Sequence, residues 1–106
     1  MSTLSTHVLD AAMGRPASGL SLALVGPDGS TVATAVTDGD GRVRFADELG
    51  SGPHALVFET GSWFDDAERD TFFPTVEVAF AVDDEQPHFH VALLLSPYSY
   101  TTYRGS

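Results

Sequence analysis

Apolar and polar residues alternate in short runs along most of the chain, and turn residues separate the runs. Val76, Val78, Phe80 and Val82 alternate with Glu77, Ala79 and Ala81, which predicts a strand with one buried face. Leu20 to Val25 alternates in the same way, Pro27-Asp28-Gly29 turns the chain, and Ser30 to Val36 returns as the second arm of a hairpin. Leu4 to Asp10 reads as a first strand, with His7 and Leu9 on one face and Thr6 and Val8 on the other. After the turn Thr37-Asp38-Gly39-Asp40-Gly41, Arg42 to Phe45 re-enters a strand in which Arg42 and Arg44 share a face. Asp47 to Pro53 holds three breakers and reads as a loop, and His54 to Glu59 as a further strand with His54 exposed at its mouth. Ser62 to Arg69 is the one convincing helix, with Ser62 as its N-cap and Asp65 and Asp66 in its first turn, and Pro74 forbids continuation.

His88 to Leu95 is different. Phe89, Val91, Leu93 and Leu95 make one apolar face, while the other runs from His88 and His90 to Ala92 and Leu94. A strand apolar on both faces is covered on both, which predicts a second subunit against the outer side. Seven or eight short strands and one short helix, with turns at sandwich spacing, predict an all-β fold: a two-sheet antiparallel β-sandwich.

The last residues do not read as a fraying end. Tyr98, Tyr100 and Tyr103 precede Arg104, Gly105 and Ser106. Aromatic rings at alternate positions of an extended segment bury one row of side chains, and the Arg104 guanidinium lies two residues from the α-carboxylate of Ser106. The segment is either an edge strand with Arg104 solvated or the lining of a site.

Composition narrows the function. A chain of 106 residues is expected to form a single domain, 1–106, burying about two-thirds of its unfolded surface. An elaborate site in so small a unit calls for a partner chain. There is no cysteine, no apolar run of membrane-spanning length and no basic, apolar leader, so a soluble cytoplasmic protein is the expectation. A net charge of -10 argues against nucleic acid and anionic membrane as partners. All five basic residues are arginine, which excludes a lysine nucleophile or Schiff base.

His88 and His90 are two residues apart and can point to the same side of a sheet, where His7 can join them. Three histidines suggest either zinc or proton transfer near neutral pH, with an arginine stabilising negative charge on a substrate oxygen. The Asp-Gly-Asp-Gly run lacks the remaining ligands of a calcium loop. Covalent catalysis by serine is disfavoured, because no Gly-x-Ser-x-Gly elbow is present.

Several motifs are shared with one family. Leu4-Ser5-Thr6-His7-Val8-Leu9-Asp10 with Gly14-Arg15-Pro16-Ala17, Thr37-Asp38 followed by Asp40-Gly41-Arg42, Phe72-Phe73-Pro74, His88-Phe89-His90-Val91 with Leu93-Leu94-Leu95-Ser96-Pro97, and the ending Tyr103-Arg104-Gly105-Ser106 together resemble the 5-hydroxyisourate hydrolases, the transthyretin-like enzymes of urate breakdown. The resemblance runs nearly end to end. It departs from the family pattern at Ala92, where proline is usual, and at Ser99, where glycine is usual.

The resemblance implies a transthyretin-like sandwich and a homotetramer, a dimer of dimers, with active sites in a channel at the dimer–dimer face. It implies His7, Arg42 and His90 as catalytic residues, and His7, Arg42, Tyr103, Arg104, Gly105 and Ser106 as substrate-binding ones. No metal or organic cofactor is implied. The substrate would be 5-hydroxyisourate and the product 2-oxo-4-hydroxy-4-carboxy-5-ureidoimidazoline. Two rival readings are a transthyretin-like carrier that binds ring compounds without turnover and a structural or adhesive sandwich.

Overall fold

Side chains that alternate between core and surface set the strands of the computed structural model, which describes residues 1–106. The elements in order are β1 (Ser2–Asp10), β2 (Arg15–Pro16), β3 (Ser21–Val25), β4 (Thr31–Val36), β5 (Arg42–Leu49), β6 (Gly52–Phe58), α1 (Thr60–Asp66), β7 (Val76–Val82), β8 (His88–Ser96) and β9 (Ser99–Gly105). They form two sheets. One runs β4-β3-β6-β7; the other runs β2-β1-β8-β9, with β5 pairing the free edge of β1 ahead of β2.

The two inner faces meet in one apolar core. Leu4, Val8, Phe45, Phe89, Val91, Leu93 and Leu95 face Leu22, Leu24, Leu56, Phe58, Val76, Val78 and Val82. Polar side chains inside are paired, as burial demands. The Thr6 hydroxyl donates to the Val91 carbonyl at 2.7 Å, and the Thr37 hydroxyl donates to Ala17 O at 2.6 Å while accepting from Leu20 N at 2.9 Å. Asp10, 1% exposed, holds the Arg69 guanidinium at 2.7 Å.

The predicted sandwich is there, with four differences. β1 and β8 pair in parallel, Thr3 beside His88 through Asp10 beside Leu95, inside an otherwise antiparallel arrangement. Distant segments choose that pairing, so local patterning carries no sign of it. The expected loop 47–53 shrinks to Gly50 and Ser51, because β5 continues to Leu49, which is buried and pairs with Ser2 across a register shift.

The helix starts two residues early and is capped at Glu59, with no side-chain cap. Ser62 is therefore not the N-cap, and Asp65 and Asp66 fall in the last turn. A tertiary anchor sets this start: the buried Thr60 hydroxyl donates to Phe73 O at 3.0 Å and Gly61 N donates to Pro74 O at 2.9 Å. His54 is also not exposed. It is 5% accessible, stacked on Phe80 at 6.1 Å, and its Nδ1 lies 3.0 Å from Gly52 O.

Candidate functional site

Register decides which side chains meet on the outer face of the β1–β8 sheet. β1 lies between β5 and β8, and β9 closes the far side. One rung across the sheet reads Arg42, His7, Ala92, Tyr103; the adjacent rung reads Arg44, Ser5, His90, Gly105. Neighbouring strands are about 4.8 Å apart, so the two imidazoles sit diagonally on β1 and β8, with Arg42 beside one and the tail beside the other. Further along, Leu9, Leu94 and Thr101 continue the same face, so the surface grades from polar to apolar. His7, His90 and Gly105 are half-buried, while Arg42 and Tyr103 are exposed.

The loop before β5 aims Arg42. Asp38 Oδ1 accepts from Arg42 N and Asp40 N, both at 2.9 Å, and Asp38 N donates to Arg42 O at 3.0 Å. The two bonds to the carboxylate, first the one from Arg42 N, hold the Asp38 carboxyl below its ordinary value, despite some desolvation; Arg42 and His7 lower it further by their charge. Gly41 has φ +75°, and a methyl group there would overlap the Val8 carbonyl. Only glycine lets β5 approach β1 at the point where Arg42 enters the sheet.

The tail is held as a strand along β8 from Ser96↔Ser99 to His90↔Gly105. Its tyrosines do not bury one row: Tyr98, Tyr100 and Tyr103 are 68%, 39% and 55% exposed, and Tyr103 points to the opposite side from Tyr100. Tyr100 packs edge-on against Phe73, with ring centroids 5.0 Å apart. Arg104 likewise points away from the histidines and lies 4.5 Å over the Phe89 ring. Within one protomer, then, Tyr103 and Gly105 join the histidine face and the Arg104 side chain does not; Ser106 follows, exposed, beyond β9. Gly105 backs directly onto His90, where a methyl group would overlap Cδ2 and come within 3.4 Å of Nε2.

Burial, then the charges of Arg42, His7 and His88, push the His90 imidazole below its ordinary pKa. It is held as a neutral base beside a cation. Two further residues belong to the cluster. Ser5 Oγ lies 2.7 Å from His90 Nδ1 and 2.9 Å from His88 Nε2, and Thr3 Oγ1 lies 2.6 Å from His88 Nδ1. The sequence offers Ser5 only as one of several serines disfavoured as a nucleophile; its place beside His90 needs the parallel pairing. The face itself is open in one protomer. A groove of about 300 Å³ runs beside it between β7 and β9, lined by Phe80, Ala81, Phe89, His90, Tyr103 and Arg104. It touches the chemistry only at His90 and Tyr103.

Such a face can take a proton from water and hold negative charge beside a guanidinium. The family model described as HIUase/Transthyretin matches residues 4–105. The 5-hydroxyisourate hydrolase of Mus musculus is 42% identical over 113 residues, covering 99% of this chain and 96% of the mouse protein. The solved structure of Klebsiella pneumoniae 5-hydroxyisourate hydrolase superposes with a TM-score of 0.92 at 42% identity, covering 100% of this chain and 94% of that one. Sea bream transthyretin in complex with thyroxine gives 0.89 at 32% identity, over 96% of this chain and 93% of that one. Matched from its first strand to its last, the chain belongs to the HIUase/transthyretin family.

Proposed function

We propose that the protein hydrolyses 5-hydroxyisourate to 2-oxo-4-hydroxy-4-carboxy-5-ureidoimidazoline in purine breakdown. The observation that carries this reading is the pair of adjacent rungs that puts His7, Arg42, His90 and Tyr103 on one face. Water is activated between His7 and His90 and adds to a carbonyl carbon of the six-membered ring. The Arg42 guanidinium stabilises the oxyanion that forms. The ring C–N bond then breaks, the nitrogen leaves with a proton, and the carbonyl becomes a carboxylate. Tyr103 hydroxyl and the backbone of Gly105 and Ser106 hold the substrate ring by hydrogen bonds. Arg104 contributes by pinning the tail to Phe89. No step needs a metal or an organic cofactor.

The working form is a homotetramer, a dimer of dimers. Two features support it. The catalytic face is open to one side and carries the apolar pair Leu9 and Leu94 next to the polar cluster. β9 and β7 are also both unpaired along one side of the sandwich, and bare strand edges pair with other strands. A copy across the open face would supply the missing wall and exclude water.

Freshly generated 5-hydroxyisourate, followed by its ultraviolet absorbance, tests the activity. His90→Ala should lower kcat by about 100-fold or more, as loss of acid–base catalysis does; turnover near wild type would remove His90 from the mechanism. The likeness to sea bream transthyretin favours a carrier as second reading. Absence of any turnover, with ring compounds still bound, would favour that reading.

A further inference from the structure

We propose that Thr3, His88 and Ser5 form a directional proton relay that presents His90 Nε2 as the base and shares the proton it removes. The proposal rests on the hydrolase reading of this face and deepens it: it decides which histidine is the base.

Hydrogen-bond accounting allows one direction that starts from the Pro87 carbonyl. A hydroxyl has one proton to donate, and a neutral imidazole has one donor and one acceptor nitrogen. The Thr3 hydroxyl donates to the Pro87 carbonyl at 3.3 Å. With that proton placed on Pro87, Thr3 Oγ1 accepts at 2.6 Å from His88 Nδ1–H; Thr3 donating to His88 Nδ1 instead would reverse the chain, and ring ¹⁵N spectra distinguish the two. The neutral His88 ring then has a bare Nε2, which accepts at 2.9 Å from the Ser5 hydroxyl. With its own proton spent, Ser5 Oγ must accept at 2.7 Å from His90 Nδ1–H. The remaining nitrogen of His90, Nε2, is bare. It is also the ring edge beside Gly105, where the tail meets the two-rung face. One carbonyl at the far end thus sets the tautomer of the reacting ring two hydroxyls away, in the way a third group orients the base of a catalytic triad.

The same chain can carry charge. When His90 Nε2 takes a proton from water, the new O–C bond forms at the substrate carbonyl. The His90 Nδ1 proton passes to Ser5 Oγ as the Ser5 proton passes to His88 Nε2. The positive charge then rests on the His88 imidazolium, whose Nδ1–H stays on Thr3. Reversal returns a proton through Ser5 to His90 Nδ1, and the Nε2 proton taken from water is then given to the leaving ring nitrogen. Base and acid are thereby one residue used twice, with no outside proton donor. Charged and titratable groups near His90 are His7 on β1, Arg42 and Arg44 on β5, His88 on β8, and Tyr103 and the inward-pointing Arg104 on β9; β7 brings only apolar residues to the groove that His90 lines. The Arg42 guanidinium disfavours charge left on His90 and favours its passage to His88, which lies further along the sheet from Arg42. Thr3, Ser5 and His88 are positioning residues in this scheme, since none meets substrate.

Ring ¹⁵N spectra of the full-length protein read the tautomers directly, without substrate. Wild type should show His90 as Nδ1–H with a bare Nε2; Nε2–H in the resting protein overturns the proposal. Ser5→Ala should let His90 relax toward Nε2–H and lower kcat by about 10-fold to 100-fold, with KM little changed. Its acidic limb should also move to lower pH, because the lost acceptor stabilised the imidazolium. Ser5→Thr keeps the hydroxyl and should restore both the tautomer and kcat. Thr3→Val, which keeps β-branching at the more exposed end, should disturb the tautomer even if Ser5→Ala folds poorly. Wild-type spectra and pH profiles in both Ser5→Ala and Thr3→Val would sink the relay while leaving the hydrolase reading intact. A protein with the wild-type tautomer pattern and no turnover would sink the hydrolase reading instead.

Discussion

Gly105 shows how much rests on a hydrogen atom. The tail can lie against the His90 ring only because position 105 has no side chain. Gly105→Ala forces either the imidazole or the strand to move, and a displacement near 1 Å at a reacting group costs about 100-fold in rate. We therefore expect kcat to collapse while the melting temperature stays close to wild type, since residue 105 ends an edge strand and packs into no core. Turnover and thermal denaturation, measured side by side, check this. His90 itself should keep its base form below the ordinary imidazole value of about 6.5, because burial and then Arg42, His7 and His88 lower its pKa. The acidic limb of kcat/KM should accordingly fall below pH 6.5. The sign for stability agrees: a group whose folded pKa is depressed contributes stability above its unfolded value, and that stability is lost as pH falls through the folded one.

Among the elements, β1 carries two unrelated duties on its two faces. Its odd-numbered side bears Thr3, Ser5 and His7, and its even-numbered side ends in Asp10 inside the molecule. Burial alone would raise the Asp10 pKa; the Arg69 guanidinium, with Met13 N at 3.0 Å, more than offsets this and lowers it. Arg69 is itself held over the rings of Phe64 and Trp63 at 4.8 and 5.9 Å, so the pair ties β1 to the end of α1. Arg69→Met leaves a buried carboxylate unpaired and should cost about 3 kcal/mol at pH 7. The gap from wild type should close as pH falls through about 4, because a lone buried carboxyl prefers to be protonated. Denaturant titrations across pH measure it, and a gap that stays constant would contradict the pairing.

The same strands show what could be read in advance. Alternation in β7 and β8 was plain, and so was the shared face of Arg42 and Arg44, because period-two patterning is local. The helix start was not, since Thr60 is fixed by a carbonyl thirteen residues on. His54 is buried, against the exposure its position at a strand mouth predicts, because Phe80 on the neighbouring strand covers its ring. The role of Ser5 is hidden for the same reason: sequence gives the spacing of His88 and His90, but only the parallel register gives their hydroxyl partner. The Arg104 side chain, expected among the substrate-binding residues, turned out to face the other way from Tyr103, as strict alternation along a strand requires.

On the scale of the molecule, the open face that bears His7 and His90, with its apolar margin, supports the proposed second copy. Leu94 lies on that margin, half-buried and outside the polar cluster. If the proposed tetramer forms through this face, Leu94→Glu should yield smaller species by sedimentation velocity, leave the far-ultraviolet circular dichroism of the sandwich unchanged, and reduce turnover. A fully active Leu94→Glu protein that sediments as a monomer would show that one chain suffices. The net charge of -10 makes copies repel one another, so added salt should favour assembly by screening that repulsion.

Alternation in β9 has one more effect. Arg104 is tacked to Phe89 on the inward side while Tyr103 and Gly105 look outward, so the strand acts as a rivet through the wall of the sandwich. Whatever loosens the aromatic head of that rivet also slackens the reactive arrangement on its other end. Warming should therefore extinguish chemistry in step with the interior, as one failure and not two.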